Sequence, residues 1–346
     1  MSCAKRPTQW SRVDWAPFVN VMTEAQNVVV CGHIRPDGDT LGGCLALKRA
    51  LEKLGKNVLA IDGYDVPPSF AFLDKNHEIR KISELSDDER RFIETADALV
   101  AVDVSVPAQL GPDAVPIFEA FQKTVVVIDH HEGESDYGDV KCVDPRVDSA
   151  GSLVFEAIDA LGVEKSYDIA FPLYVAIATD TGMFRFSSTK SGTFERAAAL
   201  VDAGVKVDEV YRLTMEQDSF GRFKLLGIAA RNCVSFLDGR GVLMALSLAD
   251  FEEAGAIPPD SEDLVNEPLC VAGMEVSVIA IEQKDGTVKA SFRSRCALDC
   301  SKLAREFGGG GHKKAAGATL RYGLDEACRL LREKTEEYYG ALAQES

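Results

Sequence analysis

Acidic and imidazole side chains follow four separate apolar segments in the N-terminal part of this sequence. Carboxylate oxygens are hard ligands, and imidazole nitrogens suit first-row transition metals. A set of four carboxylates and two imidazoles favours Mn²⁺, with Mg²⁺, Co²⁺ or Fe²⁺ also compatible, and no thiolate joins it to favour zinc. The six candidate ligands are His33, Asp37, Asp39, Asp103, His130 and Asp180.

The segments before these residues must bring them together. Runs 27–31, 98–102 and 124–128 are short, β-branched and apolar on both faces, as buried parallel strands are. A fourth apolar segment, 174–179, precedes Asp180. The carboxyl ends of strands in an open α/β sheet share one edge, where ligands bind. Packing four acids there without cations would be costly, so the pattern predicts a two-metal phosphoesterase centre.

The wider pattern predicts an α/β fold, with a mainly parallel sheet flanked by helices and then a smaller α+β domain. We expect a catalytic metal-binding domain over 1–190, a helical connector over 191–230 and a substrate-binding domain over 231–346, with a cleft between the two domains. Helices are predicted at 40–54, 152–161, 168–179, 193–203, 301–307 and 324–339, of which 168–179 could end as a strand-like segment. Further strands are predicted at 57–61, 233–237, 242–248, 271–282 and 287–292.

Composition excludes several classes of protein. The 346 residues carry a net charge of −17, which argues against a protein that coats long nucleic acid. No apolar run has the length of a membrane span, and the N-terminus lacks the apolar core of a signal peptide. Nine cysteines occur without a CxxC pair, which indicates reduced thiols and a cytoplasmic protein.

The second domain carries candidate anion-binding residues. Four glycines alone are more typical of a flexible linker, but His312 and two lysines follow 308–311 directly, and backbone amides of such a loop can cradle an anion. Arg293 and Arg295 alternate near the end of a predicted strand, so both face one side and suit a terminal phosphate. Arg185, beyond Asp180, is a candidate for the scissile phosphate or for supporting its loop. The predicted substrate-binding residues are Arg185, Arg293, Arg295, Gly309, Gly310, Gly311 and His312.

The candidate ligands lie in four short stretches: HIRPDGDTLGG at 33–43, VDVS at 102–105, IDHH at 128–131 and ATDTGMFRFSST at 178–189. Together these stretches resemble the four motifs of one known family, the DHH phosphoesterases. FGGGGHKKAAG at 307–317 is similar to the glycine-rich motif of the DHHA1 domain found in many of them. Gly43 is a small departure, since many relatives carry serine there.

The resemblance implies a role for each motif residue. One cation would be held by His33 and Asp37 and the other by Asp39 and His130, with Asp103 bridging and Asp180 completing the pair. Asp129 would orient a ligand imidazole, and His131 would face the substrate phosphate as the candidate for protonating the leaving group. A hydroxide activated by both metals would attack phosphorus.

The two-domain length most resembles the nanoRNase and pAp-phosphatase type. These enzymes cleave short oligonucleotides to mononucleotides, and many convert 3′-phosphoadenosine 5′-phosphate (pAp) to AMP. The implied partners are short oligonucleotides or nucleotide bisphosphates, without a membrane, and a homodimer is left open. The alternatives are a cyclic or linear dinucleotide phosphodiesterase and a non-catalytic nucleotide-sensing protein. A pyrophosphatase or a processive exonuclease is less expected.

Overall fold

The computed structural model describes residues 10–133 and 137–342. Contacts divide the chain into two compact units, Met1–Gln217 and Asp218–Ser346. The boundary lies inside the segment predicted as a connector. Within the described residues, no helix combines the length and the apolar character that crossing a membrane would require.

Unit 1 is built on a six-stranded sheet in which every pair is parallel. Its strands are β1 Asn27–Cys31, β2 Asn57–Asp62, β3 Ile79–Lys81, β4 Ala98–Val102, β5 Thr124–Asp129 and β6 Val140–Val143, in the order β3-β2-β1-β4-β5-β6. Its helices are α1 Ala16–Glu24, α2 Gly38–Lys53, α3 Asp87–Thr95, α4 Gly111–Ala120, α5 Ala150–Ala160, α6 Tyr167–Asp180, α7 Ser191–Asp202 and α8 Val207–Met215. This confirms the predicted α/β class.

Alternate strand residues enter two different cores. Val28 and Val30 of β1 pack into the core that includes α2, α5 and α6, whereas Val29 and Cys31 pack into the core on the other face, with α3 and α4. Burial on both faces explains why the strand sequences are apolar throughout rather than alternating.

Unit 2 contains a mixed sheet with the order β11-β12-β10-β9-β8-β7. Its strands are β7 Val234–Phe236, β8 Gly241–Leu246, β9 Val276–Glu282, β10 Val288–Ser294, β11 Gly310–Gly311 and β12 Ala315–Leu320. Only β8 and β9 pair in parallel among these strands. Its helices are α9 Phe220–Arg231, α10 Leu248–Ala254, α11 Cys300–Arg305 and α12 Leu324–Leu342.

One alternative and one strand boundary need correction. The predicted helix over 168–179 is confirmed, and its alternative strand-like end is wrong, since 174–179 is the last part of helix α6. A helix buried on nearly every side shows no polar face that would reveal its period. The strand expected from 271 begins only at Val276, since Gly273 has a left-handed φ of 81° that an extended strand does not permit.

Candidate metal centre

The candidate site lies where the strand order of the parallel sheet changes direction. β1 and β4 are neighbours, although the chain first runs outward from β1 through β2 to β3. Such a switch point opens a crevice at the carboxyl ends of the strands. His33 follows β1, and Asp103 follows β4, so the fold places both at this crevice.

The loop after β1 leads into helix α2. Asp37 is the N-cap of α2, and its Oδ1 accepts hydrogen bonds from the backbone N–H groups of Asp39 and Thr40, each 3.0 Å long. This satisfies two of the unpaired donors of the first turn. The cap therefore fixes the backbone that carries both Asp37 and Asp39.

Glycines bring α2 unusually close to α6. A Cβ on Gly38 would lie 2.4 Å from Oγ1 of Thr179, and one on Gly42 would lie 2.3 Å from the carbonyl oxygen of Pro172. Gly38 is thus required for close packing rather than for a special turn geometry. Asp39 on α2 and Asp180 at the end of α6 are brought together by this contact.

The six predicted ligands fall into two groups, and the candidate ligand atoms of each group lie within 4.8 Å of one another. In the first group, Nε2 of His33 lies 3.2 Å from Oδ2 of Asp103 and 3.8 Å from Oδ2 of Asp37. In the second group, Nε2 of His130 lies 3.8 Å from Oδ2 of Asp39 and 3.7 Å from Oδ2 of Asp180.

Asp103 belongs to the first group, also approaches His130 of the second, and has an unsatisfied oxygen. Its Oδ2 accepts a hydrogen bond of 2.8 Å from the hydroxyl of Thr40, whereas its buried Oδ1 has no hydrogen-bond partner among the described residues. Oδ1 lies 3.6 Å from Nε2 of His130. A buried carboxylate oxygen without a donor is costly unless a cation neutralises it. The donor set therefore fits divalent cations.

Asp39 is held by the first turn of helix α5. Its Oδ2 accepts a hydrogen bond of 2.7 Å from the backbone N–H of Ala150, and its Oδ1 accepts one of 2.8 Å from that of Gly151. A Cβ on Gly151 would lie 2.5 Å from the Cβ of Ala176, so the close approach requires glycine. The orientation of the Asp39 carboxylate is thus set by the backbone of α5.

The cluster retains protons in the absence of cations. Burial raises the pKa of Asp39, and the neighbouring Asp103 and Asp180 raise it further. The pKa of Asp180 rises to about 6, mainly through burial. Burial lowers the pKa of His33, but hydrogen bonds to Asp103 and Asp37 outweigh that effect and raise it to about 11. Cations entering the cluster would have to displace these protons.

Asp129 and His131 form a separate pair beside the cluster. Oδ1 of the buried Asp129 lies 2.9 Å from Nδ1 of His131. The sequence led us to expect Asp129 to orient a ligand imidazole, whereas its hydrogen-bond partner is the histidine expected to face the substrate. The pKa of His131 is raised by this hydrogen bond, with burial opposing the effect. His131 also belongs to a ligand-like group with Asp103 and His130.

Sequence reasoning missed two side chains at this edge. Thr40 supports Asp103, and nothing in the sequence distinguishes its hydroxyl from that of any other helical threonine. Asp62 ends β2 at the same edge, is buried, and has a pKa raised to about 6 by burial. It follows an apolar run as the other acids do, which is the signal that could have found it, but it is not part of a ligand group.

Arg185 follows a strained turn. Gly182, Met183 and Phe184 have consecutive left-handed φ values of 57°, 56° and 64°, which Met and Phe rarely adopt. Nε of Arg185 donates a hydrogen bond of 2.9 Å to the carbonyl of Gly182. Arg185 therefore supports this turn, and the residue is exposed to solvent.

The two predicted arginines of unit 2 contact one segment, the 3₁₀ helix Leu264–Cys270. Nε of Arg293 donates to Oδ1 of Asn266 over 3.0 Å, and Nη1 of Arg295 donates to the carbonyl of Leu269 over 2.5 Å. Both guanidinium groups therefore contact the same 3₁₀ helix.

The glycine-rich segment is partly explained by packing. A Cβ on Gly309 would lie 2.2 Å from the carbonyl oxygen of Gly317, and one on Gly311 would lie 2.6 Å from Cα of Ala316. Gly310 has open space around it, and His312 is exposed. Gly309 and Gly311 allow β11 to pair tightly with β12, so the segment is an ordered strand rather than a linker.

Comparison with known proteins assigns two segments of the chain to known domain families. Residues 27–178 match the DHH family, N-terminal domain, and residues 241–340 match the DHHA1 domain. The first match contains five of the six candidate ligands, with Asp180 two residues beyond its end.

Three relatives illustrate the similarity. The chain is 35% identical to the bifunctional oligoribonuclease and PAP phosphatase NrnA of Thermus thermophilus, over 96% of each chain. It is 28% identical to the NrnA of Bacillus subtilis, over 91% of this chain and 95% of that one. The crystal structure of an exopolyphosphatase-related protein from Bacteroides fragilis has a TM-score of 0.84 and 25% identity, covering 97% of this chain and 100% of that one.

Proposed function

Since this chain belongs to the DHH/DHHA1 family of NrnA-like proteins, we propose that it is a metal-dependent phosphoesterase that hydrolyses short oligonucleotides to mononucleotides, with pAp as a second substrate. The observation that carries the proposal is the pair of ligand groups that flank the unsatisfied oxygen of Asp103. Relatives named as oligoribonuclease and PAP phosphatase over nearly the full length support the substrate class.

We assign the six clustered side chains as ligands to two divalent cations, with manganese as the preferred metal. When bound, the cations would lower the pKa of a water molecule and offset the charge of the phosphoryl oxygens. Asp37 and Asp39 are held by backbone N–H groups, so these carboxylates need little reorganisation to bind.

His131 is the proposed proton donor to the leaving 3′ oxygen. That oxygen is a poor leaving group, so a positioned acid accelerates its departure. The hydrogen bond that Nδ1 of His131 donates to Asp129 fixes the ring and favours its protonated form, and the imidazole is 44% exposed, which leaves one edge accessible to a substrate.

The remaining predicted residues are proposed to bind substrate. In unit 2 these are the guanidinium groups of Arg293 and Arg295 and the exposed His312 beside the open Gly310. Guanidinium groups bind a terminal phosphate through two parallel hydrogen bonds. In unit 1, Arg185 is the proposed contact to the scissile phosphate. Binding of a terminal phosphate by a fixed group would favour very short substrates.

A substrate panel tests the proposal. Purified protein with Mn²⁺ is incubated separately with a two-nucleotide RNA, a longer single strand, pAp and cyclic di-AMP, and products are separated by chromatography. We expect Mn²⁺-dependent release of mononucleotides from the dinucleotide in preference to the longer strand, with slower conversion of pAp. Turnover of cyclic di-AMP alone would contradict the proposed substrate class. Tight nucleotide binding without turnover would indicate a nucleotide-sensing protein instead of an enzyme.

A further inference from the structure

A buried ionic network lies next to the first turn of α5 and contains no proposed ligand. Arg196 of α7 is 2% exposed and lies between two acids, Asp148 and Glu156, which are 3% and 2% exposed. Nη2 of Arg196 lies 3.5 Å from Oδ2 of Asp148, and Nη1 lies 3.3 Å from Oε1 of Glu156. Removing three charged groups from water is expensive, and hydrophobic side chains of similar volume often give equal stability. The network therefore calls for an explanation beyond stability.

One side of the network fixes the start of α5. Nε of Arg196 donates a hydrogen bond of 2.8 Å to Oγ of Ser152, which donates in turn to Oδ1 of Asp148. Ser149, the N-cap of α5, donates to the same oxygen over 3.2 Å and accepts a hydrogen bond of 3.0 Å from the backbone N–H of Ser152. The hydroxyl of Thr193 also donates to Asp148. These contacts surround the two residues, Ala150 and Gly151, whose amides hold Asp39.

The other side of the network is closed by the segment before α1. Glu156 accepts hydrogen bonds from the backbone N–H groups of Trp10 and Ser11, 2.9 and 3.0 Å long, and one of 3.4 Å from Nε1 of Trp15. The guanidinium carbon of Arg196 lies 5.0 Å from the centre of the Trp10 ring, a distance at which cation–π attraction operates. Arg196 is thereby held on three sides.

We propose that Arg196 is a positioning residue for one of the two cation sites, the group Asp39, His130 and Asp180. Through Ser152 and Asp148 it fixes the first turn of α5, and the two amides of that turn fix both oxygens of Asp39. The inference rests on the proposed function, because it treats Asp39 as a metal ligand. Outer residues that orient a ligand commonly change metal affinity by about 10-fold to 100-fold when replaced.

The geometry makes the effect selective. Among the described residues, no hydrogen bond joins α5 to His33, Asp37 or Asp103, which are supported by α2 and by each other. Loosening the first turn of α5 therefore weakens the Asp39 group and leaves the His33 group unchanged.

The test measures direct binding of Mn²⁺ to the metal-free protein. Binding is monitored by calorimetry and by the electron paramagnetic resonance signal of free Mn²⁺. Two variants interrupt the network: Arg196→Met removes its charge, and Ser152→Ala removes only the bridging hydroxyl. We expect the dissociation constant of one site to rise about 10-fold or more while that of the other is unchanged. Arg196→Lys, which keeps the charge, should recover part of the loss.

Leu200→Ala is the matched control, because Leu200 is fully buried on the same helix and packs in the apolar core rather than in the network. It should lower the melting temperature without changing either Mn²⁺ affinity. If Arg196→Met does not fold, Ser152→Ala decides. Wild-type affinity at both sites in Ser152→Ala, or equal weakening in Leu200→Ala, would overturn the positioning role. A wild-type protein that binds no Mn²⁺ would refute the proposed function itself.

Discussion

Asp129 and His131 lie two residues apart, and their side chains share a hydrogen bond of 2.9 Å at the edge of the proposed metal centre. Asp129 is 2% exposed, so its charge acts on the imidazole with little screening. The pair has the arrangement of a positioned acid and the group that holds it in one orientation.

Replacing Asp129 with Asn should therefore affect the leaving group selectively. We expect kcat for a dinucleotide to fall by about 100-fold, the lower end for loss of general acid catalysis. For a p-nitrophenyl ester of a nucleotide, whose leaving group needs no proton, the loss should be less than about 10-fold. Equal losses on both substrates would remove His131 from the role of proton donor.

Asp103→Asn tests the shared ligand. We expect turnover to fall by more than about 100-fold, beyond the effect usual for residues outside the ligand set. Asn is preferred to Ala here, because Asp103 has a left-handed φ of 63° that Asn adopts readily. Asp238→Asn is the matched control, since Asp238 also has a left-handed φ, 53°, and lies in unit 2. Substantial activity in a folded Asp103→Asn protein would contradict the two-metal assignment.

Mn²⁺ binding should release protons, and affinity should rise with pH. His33 has a pKa raised to about 11 in the metal-free chain, so its ring is protonated at neutral pH and must lose that proton to bind a cation. Through the neutral range, each proton displaced raises the affinity about tenfold per pH unit. Calorimetry in buffers of different ionisation enthalpy counts the protons.

The pH experiment has its own control. His33→Gln should release fewer protons than the wild type, whereas His77→Gln, at an exposed loop position outside both ligand groups, should release the same number. An affinity that is flat between pH 6 and pH 8, on a scale where one displaced proton gives about a tenfold change per unit, would show that His33 is not a ligand.

Removal of metal by a chelator should lower the melting temperature of unit 1. Metal at about 100 times its dissociation constant stabilises the folded state by about 2.7 kcal/mol. For a unit of this size that corresponds to roughly 5–11 °C. Differential scanning fluorimetry with and without chelator measures the shift, and Asp103→Asn should show a smaller one. An unchanged wild-type melting temperature would argue against metal binding by the clustered acids.

Arg293→Ala should act on substrate binding. We expect KM for short oligomers with a terminal phosphate to rise about 10-fold or more, the scale of a lost charge-assisted hydrogen bond, with little change in kcat. Arg329→Ala is the control, because Arg329 pairs with Glu326 and Glu333 on the surface of α12. An unchanged KM would exclude Arg293 from phosphate binding.

The strands of unit 1 and the acids that follow them could be predicted from the sequence. Buried parallel strands are continuously apolar, and a polar residue marks where each one ends. The sequence also predicted a helix over 168–179 but left a strand-like end open, since an apolar segment that is buried on all sides shows no period. The hydrogen bonds that hold Asp39 could not be predicted from the sequence. They come from the backbone N–H groups of Ala150 and Gly151, which almost any residue type would provide. Gly309 and Gly311 were interpreted only as an anion-binding loop, since pairing of β11 with β12 cannot be deduced before the sheet is known.

The contact between α2 and α6 makes the spacing of two proposed ligands sensitive to very small side chains. A Cβ would strike the Thr179 side chain at Gly38 and the Pro172 carbonyl oxygen at Gly42, so even a methyl group at either position would push the helices apart. The distance between Asp39 and Asp180 therefore depends on the absence of a side chain at two positions of α2.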